Sequence, residues 1–201
     1  FVYWGGAIGG SIALFLFCKK RQIPLRQMAD FCAVGLPLGH AIGRIGCIAG
    51  GCCYGHLTSY HLDNLGNVVK DHFYALEFPR VSTAFYGLYN SADSMTRSLM
   101  DKSGTTLPLF PVQIVESLSN LLIFVILFSL TPFKRAHGQI ALGYLILYSL
   151  SRSINETLRG DEARGFFFGL STSQFISLII SIIAMILIVV LSKTNSKSSL
   201  K

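Results

Sequence analysis

Charge is scarce in this sequence: Asp, Glu, Lys and Arg make up 13% of its 201 residues, against 51% hydrophobic residues and a mean hydropathy of +0.53. That balance excludes an ordinary soluble domain and marks an integral membrane protein. Internal repeats, low-complexity tracts and a soluble second domain are absent. So are DNA- and RNA-binding motifs, so the pI near 9.3 is read as membrane topology and attraction to anionic lipid, with no nucleic-acid partner. The five cysteines contain no paired CxxC set of the kind that marks zinc sites. The first apolar run has no basic residue before it in this sequence and is expected to be a membrane span rather than a signal peptide, with Gly5-Gly6 and Gly9-Gly10 suiting close helix packing. No pair of broken helices suggests the inverted repeat of a transporter. The first residue is Phe rather than Met, from which further spans upstream are expected.

What is present is a series of long apolar runs. Residues 174–191 carry no charge and, at about 1.5 Å per residue, are long enough to cross a hydrocarbon core of about 30 Å. Residues 1–18, 27–50, 111–131 and 138–157 supply four more candidates, each ended by charge or by Pro and Gly. The expected architecture is an all-α polytopic membrane protein with five transmembrane helices in this chain. Its body covers 1–192, interrupted by an extracytoplasmic head at 54–109 and followed by a basic tail at 193–201. Segments 19–26, 132–137 and 193–201 hold Lys19, Lys20, Arg21, Arg26, Lys134, Arg135, Lys193, Lys197 and Lys201. Counted with Asp30, that side has nine basic residues and one acidic, against eight and nine elsewhere. The basic side, with the C-terminus, is expected in the cytoplasm.

The 54–109 stretch contains His56, His61, His72, Tyr60, Tyr74, Tyr86, Tyr89 and Glu77 and is too long for a bare connection, so it is read as a functional cap or lid. Its FYALEF segment, at 73–78, suits a strand or a surface-lying element.

A few charges sit inside the apolar runs, where each costs several kcal/mol, about 2.5–3.5 on insertion scales. Arg44 lies among residues with almost no side chain, in Gly43-Arg44-Ile45-Gly46. Glycine lets a ligand approach the backbone, and a guanidinium fork suits two phosphate oxygens; alternatively Arg44 snorkels or pairs with an acid. Arg152, Glu156 and Arg159 fall on one helical stripe, with Tyr148 one turn earlier and Asn155 beside it. Two cations around one carboxylate leave positive charge for an anion, unless the stripe is a packing network closed by Glu116 or Asp161. Gln113 and Glu116 share a face at i, i+3, and either orient a polar head or cap their helix.

Cys18 and Cys32 read as small core residues. Cys47, Cys52 and Cys53 lie near the outer face, where disulfides are permitted; packing is the expected role, with a redox or metal role as the alternative.

Taken together, GRIGC followed by GCCYG, then PVQIVE, then R-x-x-x-E-x-x-R with Gly160-Asp161 behind it, then Ser171 and Gln174, and a WGGAIGG segment near the start, resemble the prolipoprotein diacylglyceryl transferase family. The resemblance covers nearly the whole chain outside the head. It implies a seven-span bacterial inner-membrane enzyme, five of whose spans lie here. Such an enzyme moves diacylglyceryl from phosphatidylglycerol to the lipobox cysteine thiol of a prolipoprotein signal peptide, forming a thioether and releasing glycerol phosphate. The positions matching family motifs are Arg44, Arg152, Glu156, Arg159, Gln113 and Glu116. Trp4 stands where the family often has His, Val115 where it has Tyr, and Cys47 where it has Asn.

On that resemblance Arg44 and Arg152 are expected to bind phosphate and stabilise the leaving group, Glu156 to position the arginines, and Arg159 to hold the headgroup from the surface end, with Gly43, Gly46, Gln113 and Glu116 completing the phosphatidylglycerol site. The thiol must lose its proton. His40, about one turn before Arg44, is the candidate base; thiolate formation in the positive field alone is the alternative. The chemistry requires no metal or cofactor. Two other functions fit the same residues: a silent relative that binds anionic phospholipid, and a membrane thiol redox protein using Cys47, Cys52 and Cys53.

Overall fold

The computed structural model describes residues 2–160, 166–167 and 170–198. The side chain of Trp4, Asp161, and the side chains of Lys193, Lys197 and Lys201 lie outside what it describes. Helix predominates: α1 (Val2–Arg21), α2 (Leu25–Ala49), α3 (Thr83–Ser91), α4 (Ser94–Ser103), α5 (Val112–Leu130), α6 (Gln139–Glu156) and α7 (Thr172–Ser198). The strands are short: β1 (Tyr60–Leu62) pairs antiparallel with β2 (Val68–Lys70), and β3 (Phe166–Phe167) with β4 (Leu170–Ser171). A long helix overlaps each of the five apolar windows. Three segments, Leu25–Ala49, Val112–Phe133 and Thr172–Leu191, are long and apolar enough to cross a membrane. Their outward surfaces are apolar, with Ile42, Ile45, Leu118, Leu122, Val125, Ile183 and Ile186 exposed, as lipid-facing surfaces require. This is a helical membrane protein.

The body is held by α2, α5 and α6, whose Ala33, Ile123, Leu127, Ile140 and Tyr144 form one core cluster. Polar ties supplement it: Ser117 Oγ on α5 donates to the Ala41 carbonyl on α2 at 2.9 Å. Helix α7 opens with a reciprocal capping box. The Gln174 amide nitrogen donates to Ser171 Oγ, the Ser171 amide donates to Gln174 Oε1, and Gln174 Nε2 reaches the Ser153 carbonyl on α6. The glycine pairs of α1 meet no partner among the described residues. A side chain added at Gly5, Gly6, Gly9 or Gly10 would meet nothing within 4 Å, because no described neighbour covers that face of the helix.

Asp30 does more than balance charge. It is 2% exposed, and from α2 its carboxylate accepts from the Gly138 amide at 2.9 Å, the Ala141 amide at 3.0 Å and Lys134 Nζ at 3.3 Å. It thereby satisfies orphan donors in the first turn of α6, which has no side-chain cap of its own. Asp30→Ala strands these buried amides and is expected to cost about 2–4 kcal/mol, with Asp30→Asn recovering part. Thermal unfolding in detergent reads the effect, and an unchanged Tm for the alanine variant would contradict it.

Between α2 and α5 the chain builds a small unit with its own apolar clusters. Tyr54, Phe78, Ala84 and Leu109 form one; Phe85, Met100 and Leu107 form another. Its local signals are plain: Ser82 caps α3 by accepting from the Phe85 amide, Asp93 caps α4 by accepting from the Thr96 amide, and Gly104 ends α4 at φ +73°. The FYALEF segment forms no regular strand. Leu76 bridges Leu109, and Ala75 and Phe78 are buried in the unit.

Candidate active site

Helices α2 and α6 run one way and α5 the other, so the C-terminal ends of two helices meet the N-terminal end of a third. Helix dipoles favour cations at the first two and an anion at the last. The sequence fits: Arg44 lies near the end of α2, Arg152 near the end of α6, Arg159 just beyond α6, and Glu116 in the second turn of α5.

These side chains converge on Glu116. Arg44 Nε lies 2.8 Å from Glu116 Oε2, Arg152 Nη1 3.4 Å from Oε1, and Arg159 Nη1 3.6 Å from Oε1. Arg152 Nη2 also pairs with Glu156 Oε2 at 2.7 Å. Three guanidinium groups thus face two carboxyl groups. Glu116 is 3% exposed, Arg159 6% and Arg152 14%, whereas Arg44 is 23% exposed and forms the open edge. Beside it, side chains added at Gly39, Gly43 or Gly46 would meet nothing within 4 Å, leaving that face of α2 open.

Arg159 owes its place to a close backbone approach. The Gly160 amide donates to the Tyr54 carbonyl at 3.2 Å, the Gly55 amide donates to the Phe110 carbonyl at 3.1 Å, and Gly55 bridges Arg159. A Cβ on Gly160 would overlap the Gly55 carbonyl, and one on Gly55 would lie 2.6 Å from the Phe110 carbonyl oxygen. Glycine at both positions lets the turn after α6 press against the interhelical unit.

The other expected site residues fall around this centre. Gln113 is fully buried; its Nε2 donates to the Cys52 carbonyl at 2.8 Å, so its amide fixes the chain after α2, and its Oε1 has no hydrogen-bond partner. His40 faces the α6 tyrosines, with Nδ1 3.4 Å from the Tyr144 hydroxyl and its ring centroid 5.4 Å from that of Tyr148. Sequence reasoning missed the convergence of thiols: Cys47, Cys52 and Cys53 place their Sγ atoms within 4.8 Å of one another, and Arg44 Nη1 donates to Cys47 Sγ at 4.0 Å. The available signal was their spacing beside Arg44.

The two adjacent thiols titrate apart. Burial, with the neighbouring Cys53 and Cys47, pushes Cys52 up to about 12. Burial also raises Cys53, but Arg159 and Arg44, with hydrogen bonds from Cys52 and Arg159, outweigh it and set Cys53 below the ordinary thiol value. A thiolate reacts and a thiol does not. In reduced, chelator-treated protein at pH 8, iodoacetamide is therefore expected to alkylate Cys53 at least about tenfold faster than Cys52. Peptide mapping over time reads the order, and equal rates would contradict it.

The family model described as prolipoprotein diacylglyceryl transferase matches residues 1–190. Among similar proteins, the phosphatidylglycerol–prolipoprotein diacylglyceryl transferase of Clostridium tetani is 32% identical over 183 residues, 91% of this chain and 61% of that protein. A second is phosphatidylglycerol–prolipoprotein diacylglyceryl transferase 2 of Clostridium perfringens, 32% identical over 90% of this chain and 59% of its own length. A third, from Oceanobacillus iheyensis, is 31% identical over 96% and 58% respectively. The chain spans about three-fifths of the length of these relatives. By the matched model and by these relatives, this chain belongs to the prolipoprotein diacylglyceryl transferase family.

Proposed function

We propose that the protein transfers the diacylglyceryl group of phosphatidylglycerol to the lipobox cysteine thiol of a prolipoprotein signal peptide, forming a thioether. The observation that carries this reading is the buried cluster in which Arg44, Arg152 and Arg159 outnumber Glu116 and Glu156. Among the described residues three guanidiniums meet two carboxylates here, a cationic lining of the kind that accepts a lipid phosphodiester. Arg44, at the open edge, takes the phosphate from the lipid side across Gly43 and Gly46. Arg152 stabilises the negative charge that grows on the leaving phosphate ester, and Arg159 holds the headgroup side. Fixed donors in a water-poor site are worth far more than in water. Glu116 and Glu156 aim the guanidiniums and keep three like charges together. Gln113 positions the Cys52 segment beside them.

The acceptor thiol, with an ordinary value of about 8.5, reacts as its thiolate. His40, held by Tyr144 and Tyr148, is the candidate proton acceptor; the arginine field lowers the cost of the thiolate. The proposed setting is a bacterial inner membrane crossed by all five long helices. The Lys134, Arg135 and C-terminal ends face the cytoplasm, and the arginine cluster lies at the opposite ends of α2 and α6, in the outer leaflet. The 54–109 unit then forms an extracytoplasmic head over the 1–192 body, and 193–201 a cytoplasmic tail.

The test incubates the complete protein in phosphatidylglycerol vesicles with a lipobox peptide and weighs the peptide. A gain of one diacylglyceryl group supports the reading. An unmodified peptide, with the protein folded and lipid bound, contradicts it and favours a silent relative, the outcome that Val115 in place of the family's tyrosine would suit.

A further inference from the structure

Three cysteines within seven residues converge although they belong to different local structures. Cys47 sits on the last turn of α2, while Cys52 and Cys53 lie in the loop beyond it. The Cys52 amide donates to the Cys47 carbonyl at 3.1 Å and so folds the loop back on the helix end, and Cys53 takes a left-handed conformation at φ +57° that a non-glycine residue seldom adopts. The result is three sulfurs within 4.8 Å of one another. Packing does not account for them. Unlike Cys18, which is 3% exposed, all three are only partly buried, and none belongs to a hydrophobic core cluster. A disulfide would use two sulfurs and leave the third unexplained.

We propose that Cys47, Cys52 and Cys53 form a three-thiolate site for one thiophilic divalent cation of the zinc class. With metal–sulfur bonds of about 2.3 Å, sulfurs around a common ion stand about 4 Å apart, so the observed spacing requires only small side-chain adjustments. Three protein ligands are the number found where a tetrahedral ion keeps one position open for water or substrate. This ion would lie one side chain from Arg44, whose Nη1 is 4.0 Å from Cys47 Sγ.

The open position gives the site a role that rests on the proposed transfer reaction. A substrate thiol entering it would give its proton to the base of that reaction and be held as a metal-bound thiolate. Its sulfur then attacks the glyceryl carbon; the carbon–sulfur bond forms as the carbon–oxygen bond to phosphate breaks, and that electron pair leaves on the phosphate ester beside the arginines. The metal changes no oxidation state.

The test titrates Co2+, as a coloured stand-in for zinc, into the reduced, metal-stripped full-length protein in detergent under argon. Expected are sulfur-to-cobalt charge-transfer absorption and tetrahedral d–d bands that saturate at one ion per chain and vanish on adding Zn2+. Cys47→Ser, Cys52→Ser and Cys53→Ser should each weaken binding at least tenfold, whereas Cys18→Ser should not; circular dichroism shows whether each variant is folded. Absence of the bands in the folded wild-type protein, or their persistence in the triple serine variant, overturns the site. A lipobox peptide should shift the d–d bands when its cysteine is present and not when it is serine; no shift overturns the substrate-thiol role. Because binding is read without turnover, failure of lipid transfer and failure of the metal site are separate results.

Discussion

Glu116→Gln is expected to abolish lipid transfer and to destabilise the protein by about 3–5 kcal/mol, the usual range when one partner of a buried charge pair is removed. The reason is its position. Three guanidiniums meet its carboxylate, and Glu116 is 3% exposed, so no solvent replaces the lost charge. Glutamine keeps the size and removes what holds three like charges together. Arg44→Gln in the same chain removes one of the stranded cations and should restore part of the stability, a coupling that a double-mutant cycle measures directly. Thermal unfolding of the single and double variants provides the test. A Glu116→Gln protein that melts like wild type would show that the cluster does not depend on this carboxylate.

Arg44 and Arg152 are expected to behave differently. Arg44 is the more exposed, with its side chain at the open edge of the cluster, so Arg44→Ala should fold normally yet lose about 100- to 1,000-fold in transfer, the cost of removing a preorganised donor from developing negative charge. Arg44→Lys keeps the charge and loses the fork, and should recover only part of the rate. Arg152→Ala should abolish transfer and also lower stability, because Arg152 bridges Glu116 and Glu156. Rates from the peptide mass assay, with membrane accumulation as the folding control, check both. Unchanged turnover in Arg44→Ala and Arg152→Ala would refute their assigned roles.

Much of this was legible in one dimension. Long, mostly apolar runs marked α2, α5 and α7, because a helix in lipid satisfies its own backbone and its length is dictated by the membrane. The Arg152 and Glu156 pair was legible because helical periodicity is local; the expected stripe stops there, since α6 ends at Glu156 and Arg159 reaches the cluster from the turn that bridges Gly55. What joins the stripes was not. Glu116 was visible as a neighbour of Gln113 on one helix face, and an ion network closed by Glu116 was one of two open readings. Whether a carboxylate turns toward α2 and α6 is a matter of helix packing, which spacing along α5 does not encode. Asp30 was counted as a charge, yet it caps another helix more than a hundred residues away in the chain. The thiols of Cys47, Cys52 and Cys53 converge through a left-handed turn at Cys53, a conformation that its residue type does not announce. The fold of the 54–109 unit was equally hidden, since its short strands and two helices draw stability from tertiary clusters rather than from long periodic runs.

Native mass spectrometry of the intact protein extracted from phosphatidylglycerol-containing membranes tests most directly whether the arginine cluster exists to hold a lipid phosphate. Wild-type protein should carry one tightly retained phosphatidylglycerol per chain, and folded Arg44→Gln should lose it at lipid concentrations at least about tenfold higher than those that suffice to empty the native site, each factor of ten being about 1.4 kcal/mol. Equal retention by wild type and variant would contradict that purpose for the cluster.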